Sequence, residues 1–283
     1  MLDYIFCTYL YHMTERVTIN IQDNVADVRL NRPDKMNALD AAMFHGIIEA
    51  AESLESNPEV RCIVLSGEGK AFCAGMDLMN FQPGAENSLF DHPLTTRTHG
   101  QANIFQKVAL VWRELSVPVI AVVHGVSIGG GLAIMSGCDI KYVTPDAKLS
   151  IMEMKWGIIP DMAGSQLWRH NVREDILKEL IYTNRYFSGE EAVQYGFATH
   201  VSTSPHADAM RLATEIASKN PTAIVKAKQV FNAAPYLGIA DGLLMESTEQ
   251  MQVMGRKNQM EAVAASMLKR QPNFDNYRDS EKG

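Results

Sequence analysis

The sequence predicts an α/β fold from two strand patterns and from a change in periodicity near residue 205. Arg61–Ser66 and Pro118–Val123 are short, largely apolar runs that are typical of buried strands, and a glycine-bearing turn follows each of them. From about residue 205 the hydrophobic pattern becomes wholly helical. Strands with intervening helices indicate the α/β class, and periodicity alone favours a doubly wound sheet.

The composition indicates a globular protein without a general affinity for polyanions. The chain has 283 residues, of which 46% are hydrophobic, and its formal net charge is −7. That length allows one large domain or a domain with a smaller addition. The acidic balance predicts no general attraction to nucleic acid or to anionic membranes. No run reaches the ~18 apolar residues of a membrane-spanning helix.

The cysteines and the first residues favour a cytoplasmic location. The cysteines show neither a CxxC motif nor metal-ligand spacing, so we expect no metal site and a reducing compartment. Residues 1–12 are too short for a standard signal peptide and lack its positive charge, and we expect a disordered N-terminal extension there. The four cysteines are Cys7, Cys62, Cys73 and Cys138.

Turn and cap signals predict the elements of the first part of the chain. Asp23-Asn24 separates two runs of alternating polarity, as in a hairpin, and Asp40 is a typical helix N-cap. The polar stretch Gln82–Gly100 predicts an irregular loop, either a mobile cover over a substrate or merely a solvent-exposed segment. The predicted elements are strands Arg16–Ile21 and Val25–Leu30, a helix from Ala41 to about Glu55, strand Arg61–Ser66 and helix Ala102–Leu115.

The second half of the chain changes from mixed to purely helical patterns. Ser188 and the acids that follow it are typical of a capped helix, and 16 methionines suit adaptable apolar surfaces. The elements predicted before residue 205 are strands Asp139–Val143, Lys148–Ile151 and Ala198–Ser202 and helices Met162–Asn171 and Arg173–Thr183. The helices predicted after it are Asp208–Lys219, Thr222–Ala234, Ile239–Arg256 and Asn258–Lys269.

Three consecutive glycines follow the second buried strand and are candidates for a binding turn. Gly129, Gly130 and Gly131 precede Leu132–Gly137, which has the pattern of an apolar helix. Glycine lets the backbone approach a ligand closely, and the first amides of a helix lack partners at its positive end. Such a turn can cradle a phosphate or the oxyanion of an acyl compound. It can equally serve only to bring helix and strand close together.

Cys62–Leu78 is a second apolar strand followed by a glycine-bearing turn. This turn and the triple-glycine turn could each contribute one backbone N–H to a single oxygen. Ala71–Leu78 reads AFCAGMDL and fits the pattern AFxAGxDL. His124–Asp139 fits HGxxxGGGxxxxxxCD, and Arg32–Leu39 reads RPDKMNAL. In these motifs the chain resembles the crotonase superfamily of enoyl-CoA hydratases and isomerases, from about Val17 to Phe274.

The resemblance implies an architecture and an assembly. The expected fold is the crotonase spiral of ββα units over residues 13–204, followed by a helical trimerisation region over residues 205–283. The expected assembly is a homotrimer or a homohexamer built of two trimers. The expected ligand is an acyl-CoA thioester of fatty-acid metabolism, with coenzyme A as part of the substrate and no tightly bound cofactor.

The resemblance also implies binding residues. The backbone amides of Met76 and Gly130 are expected to form the oxyanion hole, in which each donor lost costs on the order of 10²–10³ in rate. Arg32 and Lys35 are candidates for the CoA phosphates, although a solvated turn is an equal alternative. The other residues expected to contact the CoA thioester are Ala38, Ala74, Asp77, Leu78 and Lys269, the last often from a neighbouring subunit.

The acid–base residues select the reaction. Hydratases of the family use two glutamates, and this chain has Ala133 at the first position and Glu153, four residues before Gly157, at the second. Dienoyl-CoA isomerases place a Glu and an Asp four residues either side of that glycine, which fits Glu153 and Asp161. They usually also carry an acid where Ala133 stands.

An enoyl- or dienoyl-CoA double-bond isomerase is therefore the leading hypothesis. The main alternative is an enoyl-CoA hydratase with only Glu153 in place, and other crotonase reactions such as thioester hydrolysis or decarboxylation stay open. A further alternative is a non-catalytic CoA-binding scaffold, which Ala133 favours and the acid pair opposes. In an isomerase, two carboxylates that flank a flat substrate would move a proton from C2 to C6.

Overall fold

The strands form one large mixed sheet and one small parallel pair. The structure is a computed structural model that describes residues 9–81 and 88–277. The strands of that part are β1 (Tyr9–Thr14), β2 (Val17–Gln22), β3 (Val25–Leu30), β4 (Cys62–Gly67), β5 (Val119–Val123), β6 (Val126–Ile128), β7 (Ile140–Val143), β8 (Lys148–Ser150) and β9 (His200–Val201). The large sheet has the order β1-β2-β3-β4-β5-β7-β9, antiparallel up to β3 and parallel beyond it. β6 pairs with β8.

This strand order corrects the doubly wound sheet that periodicity alone favours. In a doubly wound sheet the strand order reverses at a switch point. Here the large sheet advances in one direction along the chain, because β6 and β8 leave it and pair with each other. The order strand, strand, helix is the one expected of a spiral of ββα units.

Ten α-helices are assigned in residues 9–81 and 88–277. They are α1 (Ala41–Ser56), α2 (Ile104–Glu114), α3 (Gly130–Ser136), α4 (Gly164–Leu167), α5 (Glu174–Thr183), α6 (Gly189–Tyr195), α7 (Pro205–Ala217), α8 (Pro221–Ala233), α9 (Ile239–Val253) and α10 (Lys257–Met267). Asp40 caps α1 by accepting the Met43 N–H at 2.8 Å, and Ser188 and Glu191 form a capping box on α6. None of the helices described is long and apolar enough to cross a membrane.

The large sheet is buried on both faces, which explains the continuous apolar runs of β4 and β5. On one face the side chains of β4 and β5 join a core with α1, α2 and α3, whose large members include Phe44, Trp112 and Leu132. On the other face α7 packs Ala209, Ala213 and Ala217 against Val64, Ile120 and Val122. Small residues on α7 let the helix approach the sheet closely.

Two segments differ from their predicted structure. The helix predicted over Met162–Asn171 is reduced to the single turn of α4, because Ala163 just before it has a left-handed φ of 62°. Part of the expected N-terminal extension, residues 9–12, belongs to β1 and pairs with β2. Residues 1–8 lie outside the described part of the chain.

Candidate active site

The backbone amide of Met76 faces away from the loop that holds its turn. Leu39 N–H donates to the Gly75 carbonyl at 2.8 Å, and Asp77 N–H donates to the Leu39 carbonyl at 3.1 Å. These two bonds make a parallel bridge between Leu39 and Met76. In such a bridge the residue between the two bonded neighbours directs its own N–H to the opposite side. The Met76 N–H is therefore free to face a ligand.

The amide of Gly130 lies beside the same turn. Gly130 is the first residue of α3, so its N–H is at the positive end of the helix. An ideal Cβ on Gly75 would lie 3.5 Å from Gly130 N and 2.6 Å from the Ile128 carbonyl oxygen, which shows how closely the two turns approach. Within residues 9–81 and 88–277, neither Met76 nor Gly130 donates its N–H to another backbone group. Two neighbouring unpaired donors are the arrangement that stabilises an oxyanion.

A side chain at residue 130 would crowd the ends of two neighbouring side chains. An ideal Cβ there would lie 2.8 Å from both Leu39 Cδ1 and Met162 Sδ. Any larger residue would have to displace these side chains or the start of α3. The triple-glycine motif thus preserves a close approach between the helix start and the pocket.

A pocket of about 230 Å³ opens in front of these amides. Most of its wall is apolar, and its ionisable side chains are two carboxyl groups, a lysine and a tyrosine. The lining residues are Ala74, Gly75, Met76, Leu78, Ile128, Gly129, Gly130, Met152, Glu153, Lys155, Trp156, Ile158, Asp161, Met162 and Tyr186.

Glu153 places a buried carboxyl group next to the glycine turn. It begins a short 3-10 turn after β8 and is 9% exposed. Its Oε1 lies 3.5 Å from the position of an ideal Cβ on Gly129, and its buried Oε2 has no hydrogen-bond partner among the residues described. Burial, and after it the negative charge of Asp161, raise the pKa of Glu153 above its usual 4.5.

Asp161 supplies a second carboxyl group to the same pocket. It is partly buried and lines the pocket with Ile158 and Met162. Burial raises the pKa of Asp161 above its usual 3.8. The negative charge of Asp161 also raises the pKa of Glu153, so the two predicted acids interact electrostatically within this pocket.

Ala133 carries no acid and lies in the core behind the pocket. It is 2% exposed, belongs to α3, and donates its N–H to the Gly129 carbonyl at 3.0 Å. It does not line the pocket. The carboxyl groups that line this pocket are therefore those of Glu153 and Asp161.

Comparison with known proteins agrees with this geometry. The sequence profile named enoyl-CoA hydratase/isomerase matches residues 20–277. The chain belongs to this family. A peroxisomal Delta(3,5)-Delta(2,4)-dienoyl-CoA isomerase of Arabidopsis thaliana is 31% identical to it over 270 residues, which is 93% of this chain and 97% of the relative.

Solved structures of the family confirm the crotonase fold with its C-terminal helices. An enoyl-CoA hydratase from Bacillus anthracis aligns with a TM-score of 0.81 at 27% identity, covering 95% of this chain and 99% of that one. An enoyl-CoA hydratase from Mycobacterium smegmatis gives a TM-score of 0.80 at 26% identity, covering 91% and 98%. The enoyl-CoA hydratase/isomerase assignment, with the acyl-CoA chemistry of that family, therefore covers residues 20–277.

Arg32 is paired within the protein, and its contact with the CoA phosphates stays a prediction. Its Nη1 donates to Asp77 Oδ2 at 2.6 Å and to the Ala38 carbonyl at 3.0 Å. Burial alone would raise the pKa of Asp77, but hydrogen bonds from the Met79 N–H and Arg32 outweigh it and lower that pKa. Lys35 is exposed and is the cation of this loop that remains accessible to an anionic ligand.

The other predicted CoA contacts divide into two groups. Ala74 and Leu78 line the pocket beside Met76. Ala38 and Asp77 do not line the pocket. The Ala38 carbonyl and Asp77 Oδ2 accept hydrogen bonds from Arg32 Nη1. Lys269 is exposed just beyond the end of α10 and does not line this pocket of the single chain.

Sequence reasoning did not single out Tyr186, which lines the pocket, or Asn37, which lies outside it. Tyr186 lines the pocket with 53% of its surface exposed, and no local motif marks it, because it reaches the site from beyond α5. Asn37 lies inside the RPDKMNAL motif but is completely buried. The sequence signal that could have pointed to Asn37 is its position, as a polar residue, inside the RPDKMNAL motif.

Proposed function

We propose that this family member is a dienoyl-CoA isomerase that moves conjugated double bonds from positions 3,5 to positions 2,4 of an acyl-CoA thioester. The observation that carries the proposal is the second carboxyl group, Asp161, in the pocket that holds Glu153 and the two amides. A proton transfer between distant carbons needs one acid–base group near each carbon. The 31% identity to a dienoyl-CoA isomerase supports the same reading.

The proposed reaction begins at C2. Glu153, as the carboxylate beside the glycine turn, removes a proton from C2 and becomes the carboxylic acid. The electron pair spreads over C4 and C6 and onto the thioester oxygen, which accepts the Met76 and Gly130 N–H groups. Asp161, in its acid form, donates a proton to C6, and this leaves double bonds at C2 and C4. Proton exchange with solvent then restores both groups.

Hydration is the second candidate because Glu153 alone can act as a base toward water. It requires a water held between two acids, and this chain has Ala133 at the position of the first hydratase glutamate. A non-catalytic scaffold is opposed by the buried Oε2 of Glu153, which has no hydrogen-bond partner among the residues described, because a buried unsatisfied polar atom costs stability and a scaffold gains nothing from it.

Absorbance separates these candidates. We expect 3,5-octadienoyl-CoA to give a rise in absorbance, because isomerisation extends conjugation to the thioester, and trans-2-hexenoyl-CoA to give little loss of absorbance. Glu153→Gln and Asp161→Asn should each lower isomerisation roughly 10²-fold or more, the scale of a lost acid or base. Rapid hydration of hexenoyl-CoA without dienoyl turnover, with Asp161→Asn nearly silent, would assign the hydratase instead.

We also propose that Lys35, Ala74 and Leu78 contact CoA and that residues 205–283 assemble the chain into a trimer or a hexamer. The C-terminal helices carry a broad set of exposed apolar side chains, which monomers rarely leave uncovered. They include Phe231, Ile239, Leu243, Leu244, Met251, Met254, Met260, Met267 and Leu268. Sedimentation at micromolar concentration should show a trimer or hexamer, and a monomer would contradict this assembly.

A cytoplasmic location completes the proposal. Cys62, Cys73 and Cys138 are buried free thiols, as expected in a reducing compartment. Fractionation of cells that produce the protein should place it with cytosolic markers.

A further inference from the structure

Asn37 makes four side-chain hydrogen bonds in the loop next to the proposed oxyanion hole, and no proposed catalytic step uses it. It is fully buried. Its Oδ1 accepts the Arg32 N–H at 2.8 Å. Its Nδ2 donates to the carbonyls of Glu68 at 3.0 Å, Ala71 at 2.9 Å and Phe72 at 3.1 Å. One side chain thus ties its own loop to the start of the turn that carries Met76.

The backbone around Asn37 continues this connection toward Met76. The Cys73 thiol donates to the Asn37 carbonyl at 3.1 Å and accepts the Gly75 N–H at 3.4 Å. The Ala74 N–H donates to the Met36 carbonyl at 2.9 Å. These bonds fix each residue from Cys73 to Gly75, so the direction of the next amide follows from the position of Asn37.

The far end of the same loop is also tied to the turn. Arg32 reaches across to Asp77, immediately after Met76, with a 2.6 Å ion pair whose two side chains are each 13% exposed. Asn37 therefore holds the turn before Met76, and Arg32 holds it after Met76. Neither residue lines the pocket.

We propose that Asn37, assisted by the Arg32–Asp77 ion pair, is a positioning residue that aims the Met76 N–H at the thioester oxygen. This inference rests on the proposed oxyanion hole but not on which reaction follows it. The RPDKMNAL motif then serves catalysis through the backbone of a neighbouring turn. A shift of the amide by about 1 Å would be enough to lower the rate by up to about 10²-fold.

Asn37→Ala tests the proposal with two measurements on correctly folded protein. The first is turnover of 3,5-octadienoyl-CoA, whose kcat should fall about 10- to 100-fold while KM changes little, because the amide acts most strongly in the transition state. The second is the infrared carbonyl stretch of bound hexanoyl-CoA labelled with carbon-13 at C1. Wild type should lower that frequency relative to free thioester, and Asn37→Ala should lose most of the lowering. Loss of stability alone would not change either value for the folded fraction.

Arg16→Gln is the matched control. It removes the neighbouring Arg16–Asp40 ion pair, 2.8 Å long, whose side chains are 29% and 20% exposed. Asp40 also lies 3.5 Å from Arg32 Nε, so the change disturbs the same loop while it leaves the Arg32–Asp77 ion pair in place. Both measurements should match wild type. If Asn37→Ala does not fold, Asp77→Asn replaces it, with a smaller loss expected in both measurements.

Three results would overturn the inference. One is a wild-type carbonyl shift that persists in Asn37→Ala or, if that variant does not fold, in Asp77→Asn. Another is equal loss in Arg16→Gln, which would indicate a general effect of disturbing the loop. A third is a wild type that does not shift the carbonyl at all, and that result alone would also remove the proposed oxyanion hole.

Discussion

The turns that present amides to the pocket are held quite differently from the segment that carries its carboxyl groups. Phe72 and Cys73 donate their N–H groups to the carbonyls of His124 and Val126, and Ala74 donates to Met36, so three distant parts of the chain meet there. From Glu153 to Asp161, the backbone hydrogen bonds among the described residues join near neighbours in sequence. An example is the bond from the Ile158 N–H to the Glu153 carbonyl.

Side-chain exposure follows the same division. Cys73 is fully buried, whereas Trp156 is 51%, Ile158 46% and Ile159 67% exposed. The proposed oxyanion donors thus lie in the buried, hydrogen-bonded core, and the two proposed acid–base residues lie on a segment with few long-range backbone bonds to it. Such an arrangement lets substitutions in the second region change the chemistry without disturbing the first.

The largest effect should come from displacing the rigid turn. Gly75→Ala places a Cβ 2.6 Å from the Ile128 carbonyl oxygen, so the turn must move and the Met76 amide with it. We expect a loss of turnover of about 10²–10³-fold, the scale of one lost oxyanion donor. Gly100→Ala is the control, because Gly100 also has a positive φ but an ideal Cβ there has nothing within 4 Å. It should cost roughly 1–2 kcal/mol of stability from backbone strain and leave turnover unchanged.

A substitution in the acid segment should behave in the opposite way and increase stability. The folded protein raises the pKa of Glu153 above 4.5, so between the unfolded and folded pKa values the native state binds more protons. The free energy of unfolding contributed by this group therefore falls as pH rises through that window. Glu153→Gln should raise the melting temperature at pH 7, and the gain should shrink as pH is lowered toward 4. A lower melting temperature at pH 7 would show that the carboxylate is stabilised by contacts.

The smallest effect is expected at the exposed cation of the CoA side. Lys35→Ala should weaken CoA binding only about 3- to 10-fold, since an exposed charge contributes modestly, and added salt should reduce the difference. Lys219→Ala, two residues beyond the end of α7, is the control, because Lys219 is also exposed and pairs with Glu215 of that helix. Calorimetry of CoA binding at low and high salt measures both. Equal affinity of Lys35→Ala and wild type at low salt would remove Lys35 from the CoA site.

Short-range signals in the sequence predicted several elements of the fold and both glycine turns. The Asp40 cap, the hairpin at Asp23-Asn24 and the two glycine turns are short-range patterns, and the structure contains all of them. Asp23 and Asn24 adopt left-handed φ angles of 50° and 64°, as a tight hairpin turn requires. These features could be predicted from the sequence because a few neighbouring residues determine each of them.

Contacts between residues that are distant in the chain could not be predicted from such short-range patterns. Arg32 meets Asp77 across 45 positions of sequence, so this ion pair could not be predicted from the motif that contains Arg32. Asn37 bonds to carbonyls 31 to 35 residues away, and carbonyl positions leave no trace in sequence. The acids Glu153 and Asp161 could be proposed only because their spacing around Gly157 resembles a family pattern.

The central claim is that the backbone turns activate C2 and that Asp161 delivers the proton at C6. Turnover of 3,5-octadienoyl-CoA in deuterium oxide, with the position of the label read by nuclear magnetic resonance, tests it most directly. Wild type should give 2,4-octadienoyl-CoA that carries deuterium at C6. Asp161→Asn should still exchange deuterium into C2 of the recovered substrate, through Glu153 and the two amides, while C6-labelled product falls roughly 10²-fold or more. Labelling of C6 at the wild-type rate in Asp161→Asn would contradict the account.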